Sequence, residues 1–324
     1  MGVFTRLGAD ELAGIATTFG LGTLVHGEAI TAGTINSNFA LETDRGRWFV
    51  RVNEGKAEFD VAWEARLIDA LVTGGVPAPP PMPARDGRPY AALAGVRGKW
   101  VSVFPWRAGR HLAADEVTES EACELGVALA RFHTVGAALP SAWRRGSIYD
   151  HDHLLHRYEH LAQQLDPQLA RAIEVLGDEL QLASDALPER RRAPTGIIHG
   201  DLFRDNVLWE DDRITAILDF EQASGGSLVY DVAVCINDWC WTDRPQLELV
   251  HALIAGYQSV RPLAAAERAV LPIEVRAAAA RFTITRITDV YLARVHNPEK
   301  DFRAFLARVE AWRGPALGQL SDLL

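Results

Sequence analysis

Cysteine is scarce in this chain of 324 residues. Cys123, Cys235 and Cys240 form an odd set without regular spacing, which excludes a disulfide-stapled framework. Cys235 and Cys240 also lack partners at zinc-finger spacing, so they read as small buried hydrophobes. Positive charge is short as well. Lys and Arg total 33 against 43 Asp and Glu, a net charge of −10, and a general nucleic-acid binder needs the opposite balance. No apolar run is long enough to span a bilayer, so no membrane role is expected. The opening "MGVFTRLGADELAG" lacks the charged start and apolar core of a signal peptide, and arginine stands where a myristoylation signal carries Ser or Thr. A cytoplasmic protein is expected. Internal repeats and low-complexity tracts are missing too.

What is present is globular: 48% of the residues are hydrophobic, and the length favours two lobes over one small core. "GADELAGIATTFGL" reads as an opening helix capped by Asp10 and ending near Gly20. "LVHGEAI", "NFALET" and "RWFVRV" alternate like strands, with "TDRG" as a hairpin turn. "EFDVAWEARLIDALVTGG" places Val61, Ala65, Ile68 and Leu71 on one helical face. The proline-rich stretch after it must be extended, and "AALAG" and "KWVSVFPW" suggest two more strands. The remainder is mostly helical, with strands returning only near 195–220, where "NVLWEDDRITAILDF" predicts a hairpin. The expected fold is α+β: an antiparallel sheet lobe over 1–104 and a larger, mainly helical lobe over 105–324. A ligand is expected in a cleft of such a layout.

"HGDLFRDN", His199 to Asn206, lies between two strand-like runs. Asp201 and Asn206 are five apart, and Asp219 closes the next strand in "ILDF". Asp-x-x-x-x-Asn, a short hairpin and Asp-Phe form the pattern of a phosphotransferase site. One carboxylate must take the proton of an attacking hydroxyl. A second carboxylate and an amide oxygen must hold Mg²⁺, a hard ion that prefers oxygen. A bare D-x-x-x-x-N would be an ordinary polar turn; the flanking strands and the closing "LDF" favour catalysis. Asp201, in register with Asn206, is the candidate base. His199 is expected to brace the backbone.

These stretches, together with "YDVAVCINDW", resemble the aminoglycoside phosphotransferase and choline kinase superfamily, whose fold is protein-kinase-like. Within it, "AGTINSNFAL", "HGDLFRDNVLW", "YDVAVCINDWCW" and "AARFTITRITDVYL" are most similar to the type II homoserine kinases. The resemblance covers nearly the whole chain. It implies ATP as the phosphoryl donor, Asp201 as base, Asn206 and Asp219 as magnesium ligands, and Asp231 as the buried aspartate that holds the catalytic loop. "TAGTINSNF" lies between two strands, where a nucleotide-covering loop would sit; it has Gly33 only, but its amides and the side chains of Asn36, Ser37 and Asn38 could contact phosphates. A polar hairpin turn is the alternative, and the resemblance favours the nucleotide loop. A short connector near Phe104–Ala108 joins the two lobes, with Phe104 a candidate nucleotide contact. Arg51 stands where the superfamily usually has a phosphate-binding lysine, with Glu64 as its partner; arginine keeps the charge in a bulkier, planar form. That departure and the glycine-poor loop leave a nucleotide-binding pseudokinase as an alternative.

The expected acceptor is a small hydroxyl compound. Homoserine carries an ammonium and a carboxylate, so its pocket needs an anion and a cation. Arg281 and Arg286 are candidates for the carboxylate, and Asp205 and Asp238 for the ammonium. A surface pair of Arg286 with Asp289, three residues on, is the simpler reading of that stretch. Trp239 and Trp241 could wall a quaternary ammonium, which keeps choline open beside aminoglycosides and methylthioribose. The resemblance favours phosphorylation of L-homoserine to O-phospho-L-homoserine, a step of threonine biosynthesis. His153, His156 and His160 share one helical face, which more often is simply solvated than metal-binding. Oligomeric state is not legible.

Overall fold

The computed structural model describes residues 4–31, 35–295 and 297–324. It divides into two units, Met1–Gly109 with Thr215–Glu221, and Arg110–Ile214 with Gln222–Leu324. The first unit is therefore discontinuous in sequence.

In the first unit, helix α1 (Ala9–Thr18) precedes three strands, β1 (Leu24–Ile30), β2 (Ser37–Thr43) and β3 (Gly46–Asn53). Helix α2 (Glu58–Thr73) follows, then the short β4 (Ala91–Ala92) and β5 (Trp100–Pro105). The sheet is antiparallel, in the order β1-β2-β3-β5-β4. Strand alternation decides its two faces. Phe39, Leu41, Val50, Val52, Val101 and Val103 point to one side and form a core with Leu12, Ile15 and Phe19 of and beside α1. Their neighbours Asn38, Arg51, Ser102 and Phe104 point to the other side. Asn38 pairs with Arg51 and Arg51 with Ser102 in register. Helix α1 begins earlier than expected. Gly8, not Asp10, is its N-cap, because the Glu11 carboxylate reaches back to the Gly8 N–H at 2.8 Å. "AALAG" is a strand only at Ala91 and Ala92.

The second unit is mainly helical: α3 (Glu119–Ala138), α4 (His151–Ala162), α5 (Ala170–Asp185) and the short α6 (Leu187–Arg190) lead to strand β6 (Thr195–Ile198). The hairpin β7 (Val207–Glu210) and β8 (Arg213–Ile217) comes next, with the unit boundary inside β8. Strand β9 (Ser224–Ser227) pairs antiparallel with β6. Its sequence, Ser-Gly-Gly-Ser, carries no strand signal and was not anticipated; pairing with "TGII" imposes the conformation. Five helices complete the unit: α7 (Leu228–Trp239), α8 (Leu247–Val260), α9 (Ala265–Arg286), α10 (Phe302–Trp312) and α11 (Pro315–Asp322). Among the described residues no helix is long and apolar enough to cross a membrane.

Helix α7 is buried along nearly its whole circumference, as an apolar-all-round helix must be. Its carboxylates are therefore central, not superficial. Helices α3 and α8 pack at close range because of two glycines. A Cβ on Gly126 would lie 2.1 Å from the Leu253 carbonyl oxygen, and one on Gly256 would lie 2.0 Å from that of Cys123. Backbone cannot yield as a flexible side chain does. Gly126→Ala is expected to cost about 1–3 kcal/mol or more through overpacking, read as a lower urea midpoint. A midpoint equal to wild type would contradict this close approach.

Candidate active site

Strand β6 ends at Ile198 and delivers the chain into the loop His199–Asn206. Two N–H groups at the start of the loop are buried and need acceptors. Asp231 of α7 supplies both: Oδ2 accepts from the His199 N–H at 2.6 Å and Oδ1 from the Gly200 N–H at 2.8 Å. Gly200 holds φ +77°, a conformation that suits glycine. Asp231 in turn lies 3.1 Å from His133 Nε2, and His133 Nδ1 lies 2.7 Å from the Tyr257 hydroxyl. His133 and Asp231 are fully buried. The far end of the loop uses the same helix. Asp238, seven residues and two turns along α7, accepts from the Arg204 N–H at 2.8 Å and from Arg204 Nε at 3.1 Å.

Between these anchors the loop closes on itself. His199 Nδ1 accepts from the Asp201 N–H at 3.3 Å, so the His199 ring braces backbone. Asn206 Nδ2 donates to the Asp201 carbonyl at 2.7 Å, which leaves its Oδ1 as the oxygen available to a cation. Trp239 is fully buried against Trp209, and its indole N–H donates to the Leu202 carbonyl at 2.9 Å. Cys235 lies 3.7 Å from the same carbonyl and, like Cys240, is buried.

Arg281 of α9 is 3% exposed and packs between the Tyr149 and Phe282 rings. It donates to the Gly200 carbonyl at 3.2 Å and to Gln222 Oε1 at 2.6 Å, and its Nη1 stands 3.6 Å from Asp201 Oδ1. Arg281 thus orients the loop and its aspartate. Arg286 lies one turn and a half further on. Its guanidinium is pushed below the usual arginine range by burial, while Asp238, Asp201 and Asp205 pull it back up. Asp205 is shifted the other way. Although the residue is exposed, desolvation by the protein around its carboxyl raises it, and Asp238 and Asp201 raise it further. Arg308 is buried beside them and falls to about 10, mainly through burial. Asp289 does not join this group; it pairs with Arg157 at 2.6 Å. Trp241 packs on Trp312, and the His156 and His160 rings meet each other on an exposed helix face.

In the first unit, Arg51 is buried and donates to Glu64 Oε1 at 2.7 Å; the Phe104 ring lies 5.5 Å from its guanidinium carbon. Burial works against its charge, but Glu64, Glu221 and Asp219 together hold it above the ordinary arginine value. Asp219 adopts φ +59°, a strained conformation for a residue other than glycine and one often found at functional sites. Asn36 bridges Glu221 Oε2 at 2.6 Å and the Glu54 N–H at 3.2 Å. Ser37 accepts from the Phe4 and Thr5 N–H groups and donates to Glu54, so it fastens the start of the chain. Asn38 lies beside Arg51 on the same sheet face. Gly33 lies outside the described residues. Lys56 was not singled out in the sequence. Its Nζ lies 2.7 Å from Glu221 and 3.4 Å from Glu64. Arg204 lies within the loop but carries no sequence signal beyond its charge, because its partner Asp238 is 34 positions further on.

Residues 26–263 match the family described as the phosphotransferase enzyme family. The chain belongs to this family. A homoserine kinase of a Caulobacter species is 36% identical to this phosphotransferase over 89% of each chain. That of Parvibaculum lavamentivorans is 32% identical over 98% of this chain and 97% of its own. Among solved structures, amicoumacin kinase in complex with AMP-PNP, Ca²⁺ and its ligand superposes with a TM-score of 0.72 at 14% identity, covering 95% of this chain and 94% of that one. A microcompartment-associated aminopropanol kinase gives 0.66 at 23% identity, covering 91% and 94%. The phosphotransferase thus has the kinase-like α+β fold expected from its sequence.

Replacing Asp231 by alanine would strand two buried N–H groups and His133. Asp231→Ala is expected to lower stability by about 3 kcal/mol or more and to abolish turnover, measured by thermal unfolding and ADP release. A variant with wild-type stability would contradict the anchoring role.

Proposed function

We propose that the chain is an ATP-dependent kinase that phosphorylates the side-chain hydroxyl of L-homoserine and uses Mg²⁺. The observation that carries the acceptor is the mixed charge gathered around Asp201, where Arg286 and the carboxylates Asp205 and Asp238 act on one another electrostatically. A zwitterionic amino alcohol needs one charge of each sign beside the base. The homoserine kinases at 32–36% identity support the same reading. Trp239, buried and bonded to Leu202, does not offer the aromatic wall a choline-type acceptor would want.

In this proposal Asp201 accepts the hydroxyl proton as the oxygen attacks, and Arg281 holds its carboxylate in place. Arg286 takes the acceptor's carboxylate and Asp205 its ammonium. Asp238 stays with Arg204 as support. The nucleotide lies on the sheet face that carries Asn38, Arg51 and Phe104. Among the described residues no group of three or more His, Cys, Asp or Glu is arranged to hold a metal. An amide oxygen and a carboxylate suit Mg²⁺ by their chemistry, since this ion keeps few protein ligands and fills its shell with phosphate oxygens and water. Asn206 Oδ1 and the Asp219 carboxylate would be those few. When bound, the ion offsets charge on the phosphoryl group in transfer.

Asp201→Ala is expected to reduce kcat by about a hundredfold to ten-thousandfold with little change in ADP affinity by calorimetry; unchanged turnover would defeat the assignment of the base. A coupled ADP-release assay should rank L-homoserine above choline, aminoglycosides and methylthioribose. ATP binding without ADP release from any of them would instead mark a pseudokinase. The raised Asp205 carboxyl gives a pH signature. Its anionic form is lost on acidification above the ordinary aspartate range of about 4, so KM for homoserine should climb there while KM for ATP stays level. Asp205→Asn should raise KM at neutral pH and remove that limb. A flat acceptor KM down to pH values of about 4 would exclude Asp205 from ammonium binding.

A further inference from the structure

The chain has three lysines among its 33 basic side chains, and one of them, Lys56, reaches the charged cluster of the first unit. We propose that Lys56, and not Arg51, is the side chain that contacts the phosphates of the nucleotide, with Arg51 serving as a positioning residue that never leaves Glu64. The inference rests on the kinase reading above and assigns within it the cation that β3 does not supply as lysine.

The two cations differ in whether they can move. Arg51 projects from β3 between the core-facing Val50 and Val52, and its side chain is only 9% exposed. It is held at 2.7 Å by Glu64 and faces three carboxylates, Glu64, Glu221 and Asp219. Removing it would leave Glu64, itself buried, with Lys56 at 3.4 Å as its remaining ion-pair partner. Stranding a buried carboxylate is costly. Lys56 sits past the end of β3, ahead of α2, and its side chain is 17% exposed. Its departure leaves neither acid without a hydrogen-bond donor. Glu64 keeps Arg51, and Glu221 keeps Asn36 at 2.6 Å. A lysine also suits the task. Its ammonium is a point charge on a flexible stem with three donors, of which Glu64 and Glu221 occupy two, whereas the arginine fork is planar and committed.

The cluster holds two cations against three carboxylates. It is net negative, and a polyphosphate is repelled unless a cation turns toward it or a metal arrives with it. Lys56 turning from Glu221 to a phosphate oxygen supplies the first of these.

The test uses the full chain and compares Lys56→Met, Lys56→Arg and Arg51→Lys with wild type. The readouts are ADP affinity by calorimetry with MgCl₂, KM for ATP and for homoserine, and the unfolding temperature. Lys56→Met is expected to weaken ADP binding and raise KM for ATP about tenfold or more, the loss of one charge-assisted hydrogen bond. KM for homoserine should stay close to wild type, the unfolding temperature should fall less than in Arg51→Lys, and Lys56→Arg should recover part of the affinity. Arg51→Lys should lower the unfolding temperature and kcat while ADP affinity changes far less than in Lys56→Met. Wild-type ADP affinity in Lys56→Met overturns the proposal and leaves the kinase reading standing. A greater affinity loss in Arg51→Lys than in Lys56→Met, with an unchanged unfolding temperature, overturns it as well. A wild-type protein that binds neither ATP nor ADP overturns both.

Discussion

The two hydrogen bonds that Asp231 accepts from the His199 and Gly200 N–H groups are the constraint on which the loop His199–Asn206 depends. Without them two buried backbone donors have no acceptor, and the turn that aims Asp201 loses its footing. The carboxylate can sit there because α7 is buried all round and because His133 and Tyr257, from α3 and α8, complete its surroundings. The same helix secures the other end of the loop through Asp238 and Arg204. Arg281 then approaches from α9 and meets Gly200, Gln222 and Asp201. The direction of the Asp201 carboxylate is thus set by the packing of four helices, and the tight α3–α8 contact at Gly126 and Gly256 is part of that setting.

Burial and charge oppose each other in both units, and the outcome differs between them. Around Arg51 the acids prevail, and the arginine remains firmly ionised despite desolvation. Around Asp201 desolvation outweighs the nearby acids at Arg286 and Arg308, which are pushed down, while at Asp205 desolvation and the neighbouring carboxylates act together and push it up. Groups displaced from their ordinary titration ranges in this way gain most from a ligand that carries the complementary charges. Under the proposed function, a zwitterion beside Asp205 and Arg286 would relieve both at once.

Much of this was legible in the residues. The α+β class, the hairpin after Asn206 and the loop "HGDLFRDN" follow from alternation, turn residues and spacing. Other features were hidden for physical reasons. Strand β9 has Ser and Gly where a strand signal needs branched side chains, and only its partner β6 shapes it. Lys56 and Glu221 look like ordinary surface charges in sequence, since their meeting depends on a contact 165 positions apart. The spacing of Arg286 and Asp289 suggested a surface pair, but Arg157 from α4 takes the aspartate. Ser37, read as a phosphate contact, spends its hydroxyl on Phe4, Thr5 and Glu54. In each case the decisive partner lies far away in the chain.

The central claim is that Asp201 promotes transfer of a phosphoryl group from ATP to the side-chain oxygen of L-homoserine. Phosphorus NMR of the protein with ATP, Mg²⁺ and L-homoserine reads that transfer directly. The account predicts a new phosphomonoester signal that grows in step with ADP and requires homoserine. ADP accompanied only by inorganic phosphate, or no change in the ATP signals, would contradict it.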